Sequence, residues 1–268
     1  MRLRGVVAVL LILLSISGVY AFDLDRYDRY SEPKISETET PNMAGVAVLV
    51  HESPYRGESI RVTAVPIIFW EKDRLFVRAT YAGVIVAQTD ELELNLHLAP
   101  RLMGYDASET GYLNGMQDRG WSKGWSLDAG TELIWEIPKL DGASLSVSFA
   151  SDILDESDGQ EARISFSKLF DFEPFYFKPA VSVEWQSEEM VDYYYGVRSS
   201  EATAARPAYF PDDAINCSVK FDFYMGLSKD WLLVSRLNFN FLNDEISDSP
   251  IVDEEYTVTG LLGITRMF

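Results

Sequence analysis

A single cysteine, Cys217, stands in a chain of 268 residues, so no intramolecular disulfide can form and the fold must be held by its core and its hydrogen bonds. Histidine is nearly as scarce, with only His51 and His97, which leaves few groups for proton transfer near neutral pH or for nitrogen ligation of a metal. Cations number 23 against 42 acids, a formal net charge of −19, and that balance excludes nucleic acid as a partner. Beyond the N-terminus there is no run of about eighteen apolar residues, the length a membrane-spanning helix needs. Any contact with lipid has to come through strands.

The N-terminus itself reads as a cleavable leader. Arg2 and Arg4 form a short basic region, Val6 to Leu14 an apolar stretch, and Val19 and Ala21 a peptidase-compatible end. The expected division is a signal peptide over 1–21, a flexible periplasmic segment over 22–42 and a barrel over 43–268. Without the leader the balance becomes 21 basic against 42 acidic residues, or −21. The 22–42 segment mixes acids, serines and prolines without apolar periodicity, as a linker does.

What the rest of the chain has in abundance is alternation. From Ile215 to Leu227 every odd residue is apolar, while the even ones read Asn216, Ser218, Lys220, Asp222, Tyr224 and Gly226. Cys217 falls on the apolar stripe, as a small hydrophobe. Ten such runs occur between Gly45 and Phe268. Splitting the ambiguous 74–88 stretch at Ala82-Gly83 gives twelve, and an even count is what bacterial barrels have. The expectation is therefore an all-β, antiparallel transmembrane barrel of twelve strands, with ten as the alternative. With the C-terminus periplasmic, short turns fall on that side and long loops outside, the normal asymmetry.

A water-soluble β-sandwich also alternates. Aromatic placement separates the two: Trp70, Trp125, Trp135, Phe175, Phe177, Trp185, Trp231, Phe241, Tyr256 and the terminal Phe268 all fall at strand ends, at the two headgroup levels of a bilayer. A sandwich would bury its tryptophans mid-strand.

The presumed inner face carries Arg61, Arg101, Arg163, Lys178, Lys220 and Arg236 against Glu93, Asp128, Glu132, Glu136, Glu184 and Asp222. Six of each sign is a balanced lumen, able to line water or to pair across a narrow barrel and close it. The excess acid then lies in the loops, around Asp155 to Glu161 and Asp244 to Glu255, with no spacing that matches a dedicated calcium loop. His97 shares the inward stripe with Glu93 and Asn95, a triad on paper, but no nucleophile is singled out. The expectation is a noncatalytic protein without cofactor or metal.

Three segments carry a family resemblance: Gly115-Met116-Gln117-Asp118-Arg119; Tyr194-Tyr195-Gly196-Val197 followed by Glu201 and by Pro207-Ala208-Tyr209; and Asp248-Ser249-Pro250-Ile251-Val252. In order and spacing the chain from about Met43 to Phe268 resembles the MipA/OmpV family of outer-membrane proteins. The resemblance implies insertion into outer-membrane lipid by the barrel-assembly machinery. It further implies a scaffold role with periplasmic murein enzymes as partners; a narrow diffusion channel or a surface adhesin are the alternatives. The chain departs from the barrel C-terminal signature at Arg266, where an aromatic is preferred, and its loops are acidic and poor in glycine.

Overall fold

The computed structural model describes residues 42–268, other than 59, 102, 109, 121–125 and 173. The leader, the 22–42 segment up to residue 41 and Trp125 lie outside the described residues. Fifteen strands run in chain order: β1 (Met43–His51), β2 (Arg61–Lys72), β3 (Leu75–Arg78), β4 (Tyr81–Gln88), β5 (Leu92–Arg101), β6 (Gly104–Tyr105), β7 (Arg119–Gly120), β8 (Ser126–Glu136), β9 (Ala143–Asp152), β10 (Gln160–Lys168), β11 (Phe170–Phe172), β12 (Phe175–Gln186), β13 (Ala214–Gly226), β14 (Trp231–Phe241) and β15 (Tyr256–Met267). Among the described residues two helices, α1 (Glu188–Tyr195) and α2 (Asp244–Ser247), sit in the long loops.

Every long strand pairs antiparallel with its neighbours, and β10 pairs with β12 to close the sheet on itself. Because β11 continues the path of β10 along β12, the wall has twelve staves. First and last strands meet, from Met43 opposite Met267 to His51 opposite Thr259. Closure leaves neither end strand with an open edge, which is how strands cross lipid without orphaned amides.

Period-two alternation sets the two faces. Outward stripes are apolar and exposed, among them Val46, Val48, Leu96, Leu98, Val181, Val183 and Phe223. Cys217 points outward with them. Aromatics mark both rims, and the outward Arg266 lies opposite Trp231 at the turn end, where its charge can reach the headgroups.

The hairpin after β2 differs from the expectation. The turn falls at Ala79-Thr80 and not at Ala82-Gly83, so that Arg78 pairs with Tyr81 and β3 is only four residues long. Ala79 takes a left-handed φ of 54°, the first-residue conformation of a two-residue hairpin loop, without a glycine to announce it. Two further elements escape the alternation: α1 in the 187–214 loop and the β6–β7 ribbon in the loop after β5.

Candidate functional site: a filled lumen under a folded lid

The interior is layered. At the turn end the inward stripes of β1, β2, β12 and β14 turn apolar, and Met43, Ala47, Ile67, Tyr176, Leu232 and Val234 pack into one buried cluster. Leu232 is fully buried although its stripe faces the lumen. The inner face is therefore not uniformly polar; six side chains plug one end.

Above this plug the charges pair. Arg78 holds both oxygens of Glu93, at 2.7 and 3.1 Å, and also reaches Glu71 at 3.2 Å. Glu93 is 0% exposed, so this pair stands out of water. Asp222 accepts from Arg236 at 2.5 Å with Lys220 at 3.7 Å, and Lys178 lies opposite on β12. Nearer the loop end, Arg101 bridges Asp128 at 2.5 Å and Glu161 at 3.1 Å. Arg163 joins Glu161 at 3.0 Å and also pairs with Glu184, which takes a further bond from Gln186 at 2.7 Å. Glu132 and Glu136 occupy the inward stripe of β8, Glu136 at its turn end. Arg61 turns up to Glu58 at 2.7 Å.

His97 sits 3.3 Å from Asn95, which in turn bonds Glu93 at 3.3 Å. The paper triad is thus a real chain of contacts, but its carboxylate is held by Arg78. The imidazole packs edge-on against Tyr81, with ring centres 5.2 Å apart, over the bare backbone of Gly130. Sequence reasoning missed Arg78, Glu161 and Glu58 as partners in this network. Parity would have placed Arg78 on the inward stripe had the turn been set at Ala79-Thr80.

Over the mouth, the three family segments meet in a single lid. Its core comprises Tyr55, Tyr105, Leu113, Met116, Tyr193 to Tyr195, Val197, Ile246 and Ile251 among others. Tyr194 is completely buried, and Tyr55 packs edge-on against Tyr105 at 4.7 Å and stacks on Tyr195 at 5.8 Å. Burial pushes the hydroxyls of Tyr55, Tyr105, Tyr194 and Tyr195 above the ordinary tyrosine range.

Ionic bonds tie the lid together. Arg119 grips both oxygens of Glu201, at 3.1 and 3.2 Å, and donates to the Tyr193 carbonyl at 3.0 Å. The same carboxylate accepts the Gln117 and Arg198 amides. Arg206, just before Pro207, donates to the Glu201 carbonyl at 2.8 Å and to that of Tyr112. Asp118 accepts the Ala107 amide at 2.9 Å, Ser249 donates to the Tyr195 carbonyl at 2.6 Å, and Tyr209 donates to the Glu245 carbonyl at 3.1 Å. Asp248 caps α2, with Ser249 and Pro250 turning the chain into the lid core.

The glycines do different jobs. Gly115 has φ 87°, a left-handed turn residue. Gly196 has φ −70° and needs no glycine for its conformation; a Cβ there would lie 2.3 Å from the Asp192 carboxylate, so close approach is the reason.

Known proteins share sequence with this chain over most of its length. A family model described as MltA-interacting protein MipA matches residues 44–268. The chain is 28% identical over 235 residues to a putative outer membrane protein, YiaT, of Escherichia coli, covering 87% of this chain and 93% of that one. It is 27% identical over 230 residues to the MltA-interacting protein of Escherichia coli, covering 84% and 88%. Among solved structures, OmpT of Vibrio cholerae aligns over 89% of this chain and 100% of its own, with TM-score 0.39 and 8% identity.

Proposed function

Since the chain belongs to the MltA-interacting protein MipA family of outer-membrane barrels, we propose that it is a noncatalytic interaction protein that holds a murein-processing enzyme at the outer membrane. The observation that carries this reading is the filled interior. An apolar plug at one end, paired charges in the middle and a lid with its own core at the other leave little for a steady aqueous path. A relative carries an MltA-interacting name, and partner binding is a task that a closed barrel can perform from its rims.

In this reading the turn end faces the periplasm. Its rim presents Asp90, Glu91, Glu136 and Asp141 around a shallow depression between the β4–β5 and β8–β9 turns, an acidic patch suited to a basic partner surface. The charged lumen residues keep the barrel shut and rigid, and the lid segments form a structural cap.

Two measurements test the proposal. The refolded chain in a planar bilayer should give no steady ion current; persistent single-channel steps would favour the diffusion-channel reading. Cross-linking in intact envelopes should recover a murein-processing enzyme, and reversing Asp90, Glu91 and Asp141 to lysine should release it. Recovery unchanged by the reversals would remove the acidic rim from the proposal.

A further inference from the structure

The barrel wall is incomplete in one place. Strand β2 pairs with β1 from Arg61 to Phe69, yet on its other side it pairs with β3 only from Phe69 to Lys72. The β3–β4 hairpin turns back at Ala79-Thr80, and β4 first meets β5 at Ala82 opposite Leu98. Above that turn, in the half of the wall nearer the lid, nothing among the described residues pairs β2 with β5. At the level of the turn the two strands are three strand spacings apart, about 14 Å.

The direction of the backbone groups is fixed by two bonds. The Ala79 amide donates to the Ile68 carbonyl at 2.8 Å, so Ile68, and with it Pro66, Ala64 and Val62, turn their backbone polar groups toward the gap. The Thr89 amide donates to the Leu92 carbonyl at 2.8 Å, so the even residues of β5, including Pro100, turn theirs toward the gap from the other side. Each rim therefore carries a proline where its amide would point into open space. Proline is the residue that a sheet tolerates on an unpaired edge, because it has no donor to leave orphaned and it resists addition of another strand. The gap is closed overhead by Arg61, which donates to the Gly104 carbonyl at 3.2 Å. It is a window with two sides, a sill and a lintel.

Its position matters. Val62 lies opposite Val50 on β1, within the outward apolar stripe, with Val62 66% and Val48 47% exposed. An open sheet edge at this depth is costly in hydrocarbon unless it borders a space that polar groups can use. Behind it the lumen has two characters: Val65 and Leu261 on one hand, His97 and Arg101 on the other. The lid covers the axial mouth and the plug lies at the opposite end, so the side wall is the remaining approach to these inward residues.

We propose that the gap between β2 and β5 is a lateral window through which a small amphipathic molecule, with an apolar body and a polar head, passes between the adjoining leaflet and the lumen. The apolar body slides past Val62, Ala64 and Pro66 while the polar head meets the charged wall beyond. No aqueous pore through the barrel is needed.

The test places a fluorophore inside the wall. In the full chain carrying Cys217→Ala, Thr63→Cys puts a label on the inward stripe at the window, and Ser182→Cys puts one on the inward stripe of the far wall. Both proteins are refolded into phosphatidylcholine vesicles, checked for folding by heat-modifiable migration, and exposed to 16-doxyl-stearic acid as an amphipathic quencher. The window predicts loss of most emission at Thr63→Cys and retention at Ser182→Cys. Equal loss at both would mean entry along the axis, and no loss at either would mean a sealed wall; each overturns the proposal. Lengthening the hairpin by two residues on each side of Ala79-Thr80 should restore emission at Thr63→Cys. Disulfide-linked dimers from Ala64→Cys in the same vesicles would assign the edge to pairing between copies and also overturn it.

Discussion

At Glu93 a carboxylate has been withdrawn completely from water and is held by two bonds from Arg78. A buried pair of this kind adds little when intact, because desolvation offsets attraction, but removing one partner strands the other. Arg78→Leu should therefore cost about 3 to 5 kcal/mol in urea unfolding, and the double variant Arg78→Leu/Glu93→Leu markedly less. Additive losses would show that the two residues act independently. On the outer face, Phe223→Arg near mid-bilayer should destabilise by about 2 to 4 kcal/mol. The inward control for that substitution belongs at Ser218. Asp222, its immediate neighbour, already neutralises Arg236 and Lys220, and an arginine there would meet them unshielded. Arg78 shows where residue-level reading fails: its face follows from alternation only once the turn beside it is known.

Among the elements, the long strands were legible where alternation runs unbroken, as along the thirteen residues of β13. The short β3–β4 hairpin was not. Ala82-Gly83 looks like a turn by composition, whereas the chain bends at Ala79-Thr80, where no residue type signals a left-handed conformation. The structure makes a checkable statement here: alanine pays for its φ of 54°, so Ala79→Gly should raise stability by about 0.5 to 1 kcal/mol, and Ala79→Val should lower it. The reverse order in thermal unfolding would place the turn elsewhere. Helix α1 was hidden for a different reason. Its eight residues make little more than two turns, so the polar side formed by Glu188, Glu189 and Asp192 is too short to announce a helical period ahead of three successive buried tyrosines.

For the molecule as a whole, twelve staves and a family of origin could be read from the chain, while the layering of the interior could not. A stripe written as polar by its flanking residues turns apolar toward the turn end, and only the register that gathers Met43, Ile67, Tyr176 and Leu232 reveals a plug. The lid is the other emergent feature, since its parts are scattered along the sequence from Tyr55 to Val252. Its tyrosines make it sensitive to alkali. Burial holds Tyr55, Tyr105, Tyr193, Tyr194 and Tyr195 above the ordinary value of about 10. A raised folded value gives stability that is complete below pH 10 and is lost as pH climbs toward the folded values. As pH rises above 10 the lid loops should become open to protease while the barrel keeps its heat-modifiable migration; simultaneous loss of both would make lid and barrel one cooperative unit.

The pairing of β1 with β15 has a consequence in time. Nine residues at one end of the described chain are zipped to nine at the other, and the Phe268 amide donates to the Asn42 carbonyl at 2.9 Å. The contact that shuts the cylinder therefore joins strands more than two hundred residues apart, at a large loop-closure cost. Until β1 and β15 meet, the wall has two raw edges, each a template for the wrong neighbour. Whatever escorts this chain across the periplasm must keep those edges apart from start to finish.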